Sequence, residues 1–356
     1  MNAFKAKVVL GIVLLVLLLV SSGCASASVT GSWPALGVAG GRLYVTTQGG
    51  RVYALDAATN AEVWRYPPAS EKKVVVSYSA PTVVDNTAYV GAVENQLYAL
   101  DVNTGSSRWS FPASGRIYGE VSVANGKLYF GEGDNVCALD AATGAKQWEF
   151  STRAGVWGRP FVSGGKVYVG SLDHRLYCLN AESGAKEWDF VAGGAIAGGP
   201  IVTADAVYFG ALDNVVYAVD VNSREVLWKF PTGHWVWANP LIVDGTVYVG
   251  SLDHKMYALD AATGSKVREF EAAGMIRAAP AFANGLLYVG TESGSLQVFE
   301  AKSGAPKWTA DAGRSILSSP VVDNGVVYAG ALGDAVFAWD AETGAALWNV
   351  NPGKRK

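Results

Sequence analysis

Tyr257-Ala258-Leu259-Asp260-Ala261-Ala262-Thr263-Gly264 is the clearest copy of a phrase that the chain repeats eight times, and Cys137 to Gly144 repeats it with Cys in place of Tyr. Four residues after the glycine slot comes an aromatic plate: Trp64, Trp109, Trp148, Trp188, Trp228, Trp308 and Trp348, with Arg268 in the remaining place. Successive slots lie 45, 39, 40, 40, 40, 40 and 40 residues apart. A near-constant period of about 40 residues, built from strands, is the signature of a propeller with one repeat per blade.

One repeat shows how the unit folds. Pro160-Phe161-Val162, Lys166-Val167-Tyr168-Val169-Gly170, Arg175-Leu176-Tyr177-Cys178-Leu179 and Lys186-Glu187-Trp188-Asp189-Phe190 are four short β-rich runs separated by turn signals, which predicts a four-stranded antiparallel meander. Gly four residues before Trp supplies the positive φ of a tight connection; Asn60 replaces it in blade one, and Arg224 in blade five does not suit it. Asp eight residues before Trp, as at Asp56 or Asp260, accepts backbone N–H groups across the same turn. A lone sheet of this kind leaves both faces uncovered, so the expected architecture is all-β: a single eight-bladed β-propeller of four-stranded antiparallel blades, with Trp wedged between neighbours. Blade one then closes the ring on blade eight, unless residues 25–32 add a strand.

The chain has 356 residues, a formal charge of −3 and only 17% charged residues. An acidic balance argues against a nucleic-acid-binding surface, which would need a basic patch. The repeats run unbroken, so the expected organisation is an export signal at 1–23, a tether at 24–32, a propeller at 33–350 and a basic tail at 351–356. Lys5 and Lys7 precede an apolar run at 8–20, too short to span a bilayer but suited to an export signal. Two cleavage readings fit. Ser21-Ser22-Gly23-Cys24 resembles a bacterial lipoprotein signal, with Cys24 as the lipidated first mature residue and Ser21 departing from the usual Leu. Alternatively, cleavage follows the A-x-A sequence Ala25-Ser26-Ala27. Both readings export the protein to the cell envelope. Ala25 after Cys24 resembles the sorting pattern for an outer membrane.

Cys137 takes a slot filled by Tyr in other blades, and Cys178 one filled by Ala, so both read as buried free thiols with neither a disulfide nor a metal. His174 and His254 sit in Asp-His hairpin turns two blades apart, too far to share one metal, and His234 has no paired ligand spacing. No nucleophile elbow, zinc-protease helix or phosphate-binding loop is present in the sequence.

The phrase Ala-x-Asp-x-x-Thr-Gly-x-x-x-Trp resembles the tryptophan-docking motif of the pyrroloquinoline-quinone (PQQ) repeat superfamily, over essentially the whole mature length. Two branches of it bear on function. Quinoprotein alcohol dehydrogenases carry PQQ and calcium on an eight-bladed propeller, with long loops and adjacent cysteines above the cofactor. Compact exported propellers similar to the BamB family of outer-membrane-protein assembly lipoproteins bind no quinone and act as scaffolds. The lipoprotein-like leader, the lack of long insertions and the absence of adjacent cysteines look like the second branch. That resemblance implies a monomeric, non-catalytic scaffold with protein partners, a membrane anchor at Cys24 and no cofactor.

A candidate ligand site comes from ring positions. Four residues before the proline that opens each inner strand the chain is apolar, as at Ile117, Val156, Ile196, Val236, Ile276 and Ile316. Strand alternation then turns the residues three and one before the proline toward the central channel. There the repeats diverge: Gly31, Tyr78, Tyr118, Trp157, Ala197, Trp237, Arg277 and Leu317 in one ring, and Trp33, Ala80, Glu120, Arg159, Gly199, Asn239, Ala279 and Ser319 in the other. Tyr78, Tyr118, Trp157 and Trp237 offer stacking faces, while Arg159, Arg277, Glu120 and Asn239 offer hydrogen bonds, a set suited either to a planar or anionic ligand or to plugging the axis. Three functions follow: the scaffold, a PQQ- and calcium-dependent dehydrogenase using Glu120, Asn239 and Trp237, and a module binding a polysaccharide or small ligand. The insertion from Glu71 to Ser79, the longest in the array, is the expected partner-contacting loop.

Overall fold

The computed structural model describes residues 34–354. Thirty-two strands form eight four-stranded sheets, each built from consecutive antiparallel strands. Blade four runs Phe161–Ser163, Lys166–Gly170, Arg175–Asn180 and Lys186–Val191, within a residue of the reading from turn signals. Every blade carries a bulge between its third and fourth strands, as at Ala138/Leu139 and Ala258/Leu259. Just before the bulge the docking residue stands opposite a small one, Ala138 beneath Trp148 and Cys178 beneath Trp188, which leaves room for the indole.

Eight apolar clusters hold the ring, each drawn from two neighbouring blades. The tryptophan wedge is visible in detail. Trp148 is 8% exposed, and its Nε1 donates to Ala181 O of the next blade at 3.0 Å. A Cβ added to Gly184 of that blade would lie 2.6 Å from the Trp148 ring. The turn glycine therefore has two jobs: φ near +72° and a bare Cα for the neighbour's indole. Arg224, which sequence reasoning set aside for this conformation, adopts it with φ 66°. The surrounding Asx turn overrides intrinsic preference there, for Asp220 Oδ1 accepts from Asn222 N and Ser223 N at 2.8 and 2.7 Å.

Arg268 fills the one irregular docking slot. Its Nη2 donates to Lys302 O at 2.7 Å, but its Nε is buried without a partner. Gly304 still presents the bare Cα that elsewhere receives an indole. Arg268→Trp is expected to stabilise the protein by about 1 kcal/mol by restoring the wedge and removing the orphaned donor. A melting temperature no higher than that of the parent chain would refute it.

A second size rule runs along the channel side. Glycine in the second strand meets the β-branched residue that leads into the next blade: Gly91 meets Ile117, Gly170 meets Ile196 and Gly210 meets Val236. Those apolar residues are all fully buried. Blade one inverts the pair. Thr46 takes the glycine slot and donates to Ser79 O at 3.0 Å, while Ser77 takes the bulky one.

The ring closes through blade one on blade eight. Tyr328 Oη donates to Ala57 O at 3.2 Å, and Asp334 accepts from Gln48 N and Gly49 N at 3.1 Å each. Blade one takes all four of its strands, from Ala35–Ala39 to Glu62–Tyr66, out of one continuous stretch. The start of the expected tail is not free. Pro352–Lys354 form a 3-10 turn in which Pro352 is buried, and Asn351 Nδ2 donates to Gly333 O. The Glu71 to Ser79 insertion is likewise tied down. Val75 is buried between blades one and two, its N–H donates to Gly50 O at 2.9 Å, and Lys73 sits 4.5 Å over the Tyr98 ring.

Both described cysteines are buried and free. Blade three compensates for losing the tyrosine replaced by Cys137. Glu132, in a slot held by Ala, Ser or Thr in other blades, fills the space and accepts from Cys137 Sγ at 2.9 Å, Ser114 N at 3.0 Å and Ser114 Oγ at 3.1 Å. Burial, then the Glu132 carboxylate, push the Cys137 thiol well above its ordinary range. Burial alone leads the rise of Cys178, to about 12.

Candidate functional site

Each inner segment descends the channel wall before its first strand. The eight residues read as a ring from the sequence, Tyr78, Tyr118, Glu120, Trp157, Arg159, Trp237, Asn239 and Arg277, line one cavity of about 160 Å3 at the channel. Such a volume is well above the roughly 10–15 Å3 needed to hold one water. Gly31, Trp33 and the lipidation candidate Cys24 lie outside the described residues, as do Arg355 and Lys356.

The aromatic members form a continuous arc. Ring centroids are 6.1 Å apart for Tyr78 and Tyr118, 5.6 Å for Tyr118 and Trp157, and 5.9 Å for Trp157 and Trp237. All three pairs are tilted, between 42° and 57°. Trp157 and Trp237 belong to blades four and six, and they meet because blade five supplies only Ala197 at this level. The arc ends on Arg277, whose guanidinium lies 5.2 Å over the Trp237 ring and pairs with Glu292 of its own blade.

The polar members are engaged too. Arg159 Nη1 lies 3.6 Å from Glu120 Oε2, and Arg159 Nε donates to Ser122 Oγ at 3.1 Å. Asn239 Oδ1 accepts from Gly199 N at 2.6 Å, bridging blades five and six. Burial raises the pKa of Glu120, and the Arg159 charge only partly offsets it. Channel water still reaches 33% of the side chain, which softens the penalty. A carboxyl whose folded pKa is raised disfavours folding once it is ionised, so its cost grows as pH climbs through the ordinary carboxylate range. Glu120→Gln should therefore melt above the parent at pH 7, with the gap closing as pH falls toward about 4, where both side chains are neutral. A gap that is independent of pH would contradict this assignment.

Sequence reasoning missed a second cavity, on the outside. About 200 Å3 is enclosed by Phe150, Ser151, Arg153, Arg175, Tyr177, Lys186 and Asp189 at the seam of blades three and four. A signal was present: the position of Arg153 carries Ser114, Gly193, Gly233, Ala273 and Gly313 in other repeats. It also missed the grouping of Glu132, Cys137 and Glu149, whose ligating atoms lie within 4.8 Å of one another. Two of the histidines take the turn positions read from the sequence. His174 and His254 occupy hairpin turns at φ 73° and 71°, the conformation of Asn214 and Gly50 in the same slot.

Residues 25–154, 132–275 and 268–355 match the sequence family described as outer membrane protein assembly factor BamB. The chain belongs to that family. Among solved structures, BamB from Moraxella catarrhalis is similar at 19% identity and a TM-score of 0.69, covering 86% of this chain and 91% of that one. A europium-containing methanol dehydrogenase is similar at 15% identity and a TM-score of 0.70, covering 87% and 84%. The computationally designed Ika8 protein is similar at 16% identity and a TM-score of 0.77, covering 87% and 96%. At these identities the structures share the fold with this BamB-family chain. No curated protein matches the sequence.

Proposed function

We propose that the protein is a non-catalytic scaffold of the cell envelope, holding protein partners on the loop-bearing faces of its propeller in the assembly of outer-membrane β-barrel proteins. The observation that carries this reading is the BamB-family match, which extends over all eight blades. Export and a lipid anchor at Cys24 would complete it, because the apolar run at 8–20 with Cys24 close behind resembles a lipoprotein leader.

The channel chemistry favours the scaffold over a quinoprotein. Calcium needs six to eight oxygen ligands. Glu120 and Asn239, the ring's oxygen donors for it, stand on blades three and six, one facing Arg159 and the other bonded to Gly199 N. The aromatic faces lean on each other instead of framing a parallel slot for a flat cofactor. A second reading, a channel-mouth site for a polysaccharide or planar ligand, draws on the aromatic arc from Tyr78 to Trp237.

Crosslinking and affinity capture from intact cells test the first reading. Recovery of β-barrel assembly components is expected, and recovery of redox proteins alone would overturn it. Titration with PQQ and calcium is expected to give no alcohol-dependent dye reduction.

A further inference from the structure

The outer cavity at the seam of blades three and four has an internal control, because blade six repeats its parts with different charges. In blade four, Asp189 pairs with Arg175 and with Lys186, the latter at 2.6 Å. In blade six, Glu269 pairs in the same way with Lys255 and with Lys266. Asp173 in blade four and Asp253 in blade six are equivalent, accepting from a tyrosine hydroxyl at 2.6 and 2.7 Å respectively.

Two positions break the parallel. Blade six adds a second carboxylate, Glu271, 3.3 Å from Lys255, where blade four has Val191. Blade four adds Arg153 where the chain leading into blade six has Gly233. Both changes act in the same direction, leaving the blade-four pocket two charges more positive than its counterpart. Its lining holds three cations against one carboxylate, on a protein whose overall charge is −3.

The donors left over suit an oxyanion. Asp189 occupies one edge of Arg175 and the ammonium of Lys186, while the Arg153 guanidinium makes no side-chain hydrogen bond among the described residues. Arginine forks match phosphate oxygens in pairs, and a phosphomonoester carries about −1.5 to −2 charges at neutral pH, opposite in sign to the lining's excess. Phe150 and Tyr177, with ring centroids 5.4 Å apart, give one wall an apolar surface, and Val191 beside it is 58% exposed.

We propose that the pocket formed by Arg153, Arg175 and Lys186 is a binding site for a phosphomonoester, distinct from the channel. The full chain titrated with inorganic phosphate by calorimetry is expected to show saturable one-site binding at millimolar concentrations or tighter. Arg153→Ser and Val191→Glu, which install the residue types of blades three and six, should each weaken it at least tenfold while leaving the melting temperature unchanged, because both side chains are exposed. Sodium acetate should compete poorly. Cosedimentation with phosphatidic acid vesicles, but not phosphatidylcholine vesicles, and its reversal by free phosphate would assign the phosphate to a lipid headgroup; phosphate binding without vesicle binding would assign it to a soluble ligand. Absence of saturable phosphate binding, acetate binding of equal strength, or variants within twofold of the parent would each overturn the proposal.

Discussion

Trp148→Ala is expected to cost about 3–5 kcal/mol, lowering the melting temperature by roughly 5–10 °C. The indole fills the seam between blades three and four, tilts against Tyr129 at 5.8 Å and hydrogen-bonds Ala181 O. Removing it opens a cavity whose floor is Gly184, a residue with no side chain to collapse inward. The carbonyl of Ala181 also loses its indole donor. Calorimetry on the variant gives the measurement, and a loss below about 1 kcal/mol would mean that the seam is held by strand packing without the wedge.

Gly210→Thr should be comparably damaging, at about 3 kcal/mol or more, because its new atoms run into Val236 in a fully buried position. Blade one holds a threonine in this slot, where Thr46 donates to Ser79 O and the bulky slot carries Ser77. Pairing Gly210→Thr with Val236→Ser should therefore recover more than half of the loss. A double-mutant cycle reads this directly. Additive costs would show that the volume exchange seen in blade one depends on other features of that blade.

The fold was legible because propeller physics acts on short local phrases. Trp spacing, turn Asp and turn Gly each report one blade, and most of the eight copies keep each of them. The channel ring was legible for the same reason: alternation from a buried Ile or Val places Trp157, Arg159 and their equivalents on the opposite face. What escaped was anything set by distance between repeats. Alignment assigns Trp157 and Trp237 to different sectors but says nothing of their reach across Ala197. Nor does it couple Glu132 to Cys137, since an enlarged residue on one strand and a reduced one on the next become a single event only when the strands pair. Arg153 was overlooked because its neighbours in the pocket come from three separate runs. Arg224 shows the opposite error, in which residue preference was trusted over the turn that encloses it.

Among the described residues blade one and blade eight each draw all four strands from one continuous stretch, so blade one's side of the last seam is finished before the far end of the chain arrives. A polypeptide that leaves the ribosome amino end first could complete each sheet in turn as it emerges, stacking it on the one before. Only the final join must wait, and it needs two finished surfaces to meet, without any late strand having to find a gap. Assembly of this kind proceeds at the pace of delivery and leaves no sheet standing open for a missing piece.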